Sequence, residues 1–351
     1  MPKLVRMAAA AGDADDAEEG HALAVHTVES TPQTVRSGYL DPSAAPVATI
    51  GSGDTVRYPN TWTHWGNEAV YGMTFADREP LRHRYPHGPY SMLGPVEVTG
   101  AEPGDVIECS ITALRTIGWG WNSFPLGVGA LPHDFPEPYL HYFTFDDART
   151  TAEFTHRIRL PMAPFLGVVG AEPAGSEPVS AIVSGSYGGN LVLRDLGVGS
   201  HLFLPVAKPG GRIWLGDVHA LQGDGVVDQT AIETAAENLE VRYDLRKQVA
   251  LRAPLGETDT SWILIGFGES LDDALVACLR EVIHWLPAAT GMPGPEVYAL
   301  ASMAVSFRVS QYANQTGSAY TSVPPKAVHA VVPKDVFPAE IRTQIGDWLR
   351  P

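Results

Sequence analysis

The ten residues from Gly216 to Gly225 set two acids and one histidine among three glycines, the densest cluster of reactive groups in the chain. Asp217 and His219 are two apart, so on an extended strand both side chains leave the same face and can meet one metal ion or one substrate. Carboxylate and imidazole are zinc-type ligands, and this pair supplies half of such a site. Leu215, Val218 and Leu221 surround it with apolar bulk, which favours a partly desolvated site. His201, in the strand-like Ser200–Leu204, is a candidate third ligand. Gly223 and Gly225 free the backbone around Asp224, so Gln222 and Asp224 either project into a pocket or form an Asp-Gly hairpin turn. Glu137, stiffened between Pro136 and Pro138, is a candidate general acid or base.

Upstream lie Gly188-Gly189-Asn190-Leu191, Arg194-Asp195-Leu196, Leu202-Phe203-Leu204-Pro205-Val206 and Pro209-Gly210; downstream lies Thr230-Ala231-Ile232-Glu233-Thr234. With Gly94-Pro95-Val96-Glu97-Val98, Gly100-Ala101-Glu102-Pro103-Gly104-Asp105 and Phe135-Pro136-Glu137-Pro138-Tyr139, this ordered series resembles the acetamidase/formamidase family of amide hydrolases over roughly residues 40–335. The resemblance implies a layered, β-sandwich-like fold and hydrolysis of a carboxamide or lactam C–N bond by metal-activated water. It adds Asn190 as a substrate-binding residue and Glu233 as a catalytic one. A divalent metal, zinc by its donor chemistry, is the expected cofactor.

Three departures qualify that expectation. Where the family carries acids, this chain has Val192, Val226 and Ser306. Carboxylates supply much of the affinity for a divalent cation, so their loss opens an alternative. In it, Asp217 and His219 form an acid/base pair for metal-free cyclisation, isomerisation or elimination on a specialised metabolite, or the protein only binds its ligand.

The bulk numbers limit partners and compartment. A net charge of −16, with 24 Lys and Arg against 40 Asp and Glu, argues against a nucleic-acid binder, which needs a basic face. No run of about 18 apolar residues exists, so no membrane span is expected. Two distant cysteines, Cys109 and Cys278, read as buried free thiols in a reducing cytoplasm. The partner is a small-molecule amide or related metabolite. A homo-oligomer, such as a homodimer, is expected only because soluble proteins commonly associate symmetrically.

The elements that must position these residues are mostly strands. Glycine and proline, 35 and 29 residues, punctuate short alternating apolar runs, which predicts a mainly β chain with a few late helices (α+β). Residues 1–20 read as a flexible acidic tail and 21–351 as a single domain. Val96–Val98 and Val106–Ile111 predict a hairpin around the Glu102–Asp105 turn. Thr230–Leu245 reads as strand. A helix is expected after Ser270, with Leu271, Leu275, Cys278, Val282 and Leu286 as its apolar stripe, and a second from Pro295 to about Gln311. Two aromatic loops, Asn60–Gly66 and Trp119–Phe124, hold half of the eight tryptophans; Trp62 and Trp121 are expected to wall a pocket for a substrate larger and more apolar than formamide.

Overall fold

The computed structural model describes residues 22–312 and 320–351. The tail expected over residues 1–20 lies outside them. Two large sheets dominate, one of nine strands and one of ten. Their facing sides share one apolar core, to which Ile107, Leu204 and Val241 contribute from the first sheet and Leu166, Val169 and Leu215 from the second. The outer face of the first sheet packs through Trp262, Leu264 and Val328 on the late helices, through Cys278, Val282 and Leu286. This is the layered β architecture with late helices that the sequence predicts.

The helix Leu271–Thr290 starts where its cap predicts, with the Ser270 hydroxyl accepting from the Asp273 amide at 3.1 Å. Its buried stripe runs through Ala274, Cys278, Val282, Trp285, Leu286 and Ala289; Leu275 points outward, 40% exposed. The close approach of sheet and helix explains why Ala274 replaces Leu275. A Cβ on Gly266 would lie 2.1 Å from the Cys278 amide nitrogen, so only small residues fit that seam. Both cysteines are buried and free. No helix among the described residues is long and apolar enough to cross a membrane.

Two expectations fail at chain level. Ser91–Val98 and Val106–Thr116 do not pair as a hairpin: the former belongs to the ten-stranded sheet and the latter to the nine-stranded one, so the turn between them carries the chain from layer to layer. Both strands are buried along much of their length, and alternation cannot tell two strands of one sheet from two strands facing across a core. The second late helix covers only Gly294–Ala304, after which Ser306–Gln311 is a strand paired to Lys326–Pro333. Ser306 is therefore an exposed strand residue rather than a helical one.

Candidate active site

The strand Ile213–Leu221 runs through the ten-stranded sheet, flanked by Phe165–Ala171, Ser91–Val98 and Ile232–Thr234. Asp217 interrupts it with a left-handed backbone, φ 57°. Opposite stands Gly167, where a Cβ would lie 2.5 Å from Asp217 Oδ2 and 2.8 Å from His219 Cε1, so the absent side chain makes room for the pair. On the neighbouring strand Glu233 lies directly across from His219.

A fourth group comes from far away in sequence. His64 opens a short helical turn, His64–Asn67, in which Trp65 and Gly66 are left-handed, at φ 55° and 63°. Ser91 fixes that turn, its hydroxyl accepting from the Gly66 amide at 3.1 Å and donating to the Thr63 carbonyl at 2.6 Å. His64 Nε2 then sits 3.0 Å from Asp217 Oδ1 and 3.3 Å from Glu233 Oε2. His219 Nε2 sits 2.9 Å from Asp217 Oδ2 and 3.1 Å from Glu233 Oε2. All four side chains are buried.

The His219 contacts are close without being aligned as hydrogen bonds. Asp217 Oδ2, Glu233 Oε2 and His219 Nε2 are all buried with no hydrogen-bond partner, whereas Glu233 Oε1 is engaged by the Ala231 amide at 2.9 Å. Buried polar atoms are rarely left so, and several that crowd together without pointing at one another suit a shared cation. The ligand atoms of His64, Asp217 and Glu233 all lie within 4.8 Å of one another. Two imidazoles and two carboxylates fit a divalent ion of the zinc type.

Electrostatics binds the cluster. Burial by itself would lower the pKa of His219, but the charges of Asp217 and Glu233 outweigh it and hold the value well above the usual histidine range. His64 is raised by the same two acids against the same burial. Burial would raise Glu233; the two histidines instead hold it well below the usual carboxylate range.

The expected residues divide. Asp217, His219 and Glu233 come together, and Trp121 joins them, buried with its ring edge-on to His64 at 5.0 Å. Asn190 is buried on the strand beside Phe165–Ala171, with Nδ2 donating to the Ile182 carbonyl at 2.9 Å and Oδ1 unpartnered. Trp62 packs against the main core instead. His201 is not brought to the cluster: it lies in the other sheet, its Nδ1 2.8 Å from Glu108 Oε1, because its strand crosses to the opposite layer. Glu137 is exposed, since its flanking prolines hold it in a surface segment before the strand Tyr139–Thr144. Gln222 is buried and donates to the Val192 carbonyl at 2.9 Å.

Asp224 belongs to a second group with Asp195 and His329, where Arg308 stands 3.9 Å from Asp224 and 4.0 Å from Asp195 and Arg194 stands 3.9 Å from Asp224. Two guanidinium groups already balance its two carboxylates. Val192 and Val226 both have positive φ, 46° and 45°, a costly conformation for β-branched residues. Neither they nor Ser306 belongs to the His64, Asp217, His219 and Glu233 cluster.

Reasoning from sequence missed His64, Tyr90, Arg78 and Arg82. The His64 segment stood out only for its tryptophans, although a histidine set between Trp62 and Trp65 was a signal. A narrow cleft of about 30 Å³ opens beside His64 and Glu233, lined also by Tyr90, Trp121, Arg82 and Tyr320. The tryptophans fill space rather than frame a wide pocket, so the expectation of a larger, apolar substrate finds no such room here.

A family model described as the acetamidase/formamidase family matches residues 41–182 and 174–339. Among curated proteins, the chain is 23% identical over 223 residues to a putative formamidase of Schizosaccharomyces pombe, covering 47% of this chain and 54% of that one. It is 22% identical over 246 residues to a formamidase of Methylophilus methylotrophus, covering 52% and 60%. The matches thus span little more than half of these curated relatives. Among solved structures, an acetamidase from Bacillus halodurans superposes with a TM-score of 0.78 at 26% identity, covering 89% of this chain and 98% of that one. A gamma lactamase from Delftia acidovorans, at 19% identity and TM-score 0.57 over 88% and 90% of the two chains, shares the fold.

Proposed function

The chain belongs to the acetamidase/formamidase family, and on that premise we propose that it hydrolyses a small carboxamide at the cluster of His64, Asp217, His219 and Glu233. Water adds across the C–N bond, giving a carboxylate and an ammonium ion. The observation that carries this reading is the convergence of four buried ligand side chains, of which Asp217 Oδ2, His219 Nε2 and Glu233 Oε2 face one another without hydrogen-bond partners. His64, Asp217, His219 and Glu233 would hold a divalent ion. When bound, such an ion supplies Lewis acidity and lowers the pKa of water.

The chain's own groups do the rest. Glu233, anchored through Oε1 by the Ala231 amide, is held with Oε2 facing His64 and His219, so its carboxylate fixes the geometry of the cluster. Burial pushes the Tyr90 hydroxyl well above its usual range, so it stays protonated as a donor beside His64. Asn190 Oδ1 is free to accept an amide N–H. Trp121 and Phe165 pack edge-on against the two histidines and keep bulk water away.

The test is ammonia release from formamide, acetamide and propionamide, before and after chelation and again after zinc is returned. Release that is lost on chelation and restored by metal supports the proposal. Absence of ammonia from these amides and from small amides that carry a carboxylate, all in the metal-loaded protein, would end it.

A further inference from the structure

The helix Phe75–Arg84 places two arginines one turn apart on its buried face, beside the cluster. Its start is fixed by a reciprocal cap between Thr74 and Asp77, which sets where Arg78 and Arg82 fall. Arg78 is fully buried. Its guanidinium lies 5.0 Å from the Trp121 ring centroid, 5.4 Å from that of Tyr142 and 5.8 Å from that of Trp65, and Nη2 donates to the Tyr142 hydroxyl at 3.0 Å. Nε and Nη1 have no partner.

Arg82 is the more informative. It is 6% exposed and lines the same cleft as His64 and Glu233. Among the described residues it makes no ion pair; its Nε is buried without a hydrogen bond, and the Phe75 ring, 5.9 Å away, is its one cation–π contact. Only Nε is fully withdrawn from water, and a guanidinium this deeply set with no counter-charge is disfavoured. Proteins retain such a group where a ligand completes the pair, and guanidinium geometry suits a carboxylate in particular.

We infer that the amide hydrolysed at this site is itself anionic: a small monoamide carrying a carboxylate that pairs with Arg82. This rests on the hydrolase reading for the fate of the amide, but not for the binding of the carboxylate. Asp217 and Glu233 contribute two negative charges, which a divalent ion would cancel. Arg78 and Arg82 then leave the cleft positive. A neutral amide gains nothing from that field, whereas an anionic one is drawn in and oriented, carboxylate toward Arg82 and carboxamide toward His64 and Glu233. The narrowness of the cleft restricts the chain between the two groups to a few atoms.

The experiment compares oxamate, malonamate and succinamate with their neutral diamides, which have nearly the same shape without the charge. Binding is followed by calorimetry at low salt on the metal-loaded protein, and ammonia release is measured in parallel. The expected result is at least tenfold tighter binding of one or more monoamides than of the matching diamide, with that ratio falling at least tenfold in Arg82→Gln. Equal or tighter binding of the diamides overturns the inference, as does a preference that survives in folded Arg82→Gln, because the carboxylate would then be held elsewhere. Should Arg82→Gln fail to fold, the wild-type ratio and its loss at high salt decide the matter. Anionic amides that bind, while neither they nor the neutral amides release ammonia, would remove the hydrolase reading and leave the Arg82 pairing standing. Diamides hydrolysed and bound as well as the monoamides would do the reverse.

Discussion

His219 Nε2 lies 2.9 Å from Asp217 Oδ2 although a left-handed backbone at Asp217, φ 57°, breaks the regular strand between them. Aspartate is among the few residues that adopt this conformation at modest cost. Asparagine tolerates it equally and differs only in charge. Asp217→Asn should therefore fold, shown by an unchanged circular dichroism spectrum, while losing ~100-fold or more of its amidase rate. Wild-type turnover in the variant would remove Asp217 from the chemistry.

The same pair depends on what is missing opposite. A methyl group at Gly167 would press on Asp217 Oδ2 and His219 Cε1. Gly167→Ala should cost about 1–3 kcal/mol in urea unfolding and depress activity more than the lost stability explains. Unaltered unfolding would mean that the strands yield easily there.

Val226 pays for its positive φ. Removing a buried valine from a strand and leaving glycine costs about 3 kcal/mol, the sum of lost burial and added chain freedom, as expected for Val241→Gly. At Val226 the relief of a left-handed L-residue returns about 1–2 kcal/mol. Val226→Gly should thus cost clearly less than Val241→Gly in parallel denaturation curves; equal costs would show no strain at Val226.

Glu108 predicts an acid limb in stability. Burial would raise its pKa, but His201, Arg350 and Arg246, at 2.7–2.8 Å, pull it down to about 2. A carboxyl depressed below its unfolded value stabilises the fold fully above about pH 4.5, and the benefit is lost as pH falls toward 2. The shift corresponds to an order of 2–3 kcal/mol. Glu108→Gln should flatten the pH dependence of Tm between pH 5 and 2 (about the interval of the two pKa values); a parallel, undiminished slope would assign it to other carboxylates.

Legibility followed sequence distance. The strand bearing Asp217 and His219 was readable because its apolar residues and its two reactive groups lie within nine residues. The helix after Ser270 was readable because a cap and a stripe are local signals. Glu233 and Asn190 were reachable through family resemblance. His64 was not, for its partnership with Asp217 spans 153 residues and is created only when the Trp65–Gly66 turn folds onto the strand Ser91–Val98. His201 misled because a strand next to the site in sequence crossed to the other sheet. The helix expected to run to Gln311 overran its end because Ser306–Gln311 takes its strand pairing from Lys326–Pro333, beyond any local window.

The most direct measurement is metal content, by mass spectrometry of untagged protein purified without chelator or added metal, set beside His64→Ala. The account predicts close to one divalent ion per chain in the wild type, zinc by its donor set, and a large loss of that ion in the variant. A folded wild-type protein without bound metal, or a His64→Ala variant that keeps its full complement, would contradict the assignment of this cluster as the metal centre.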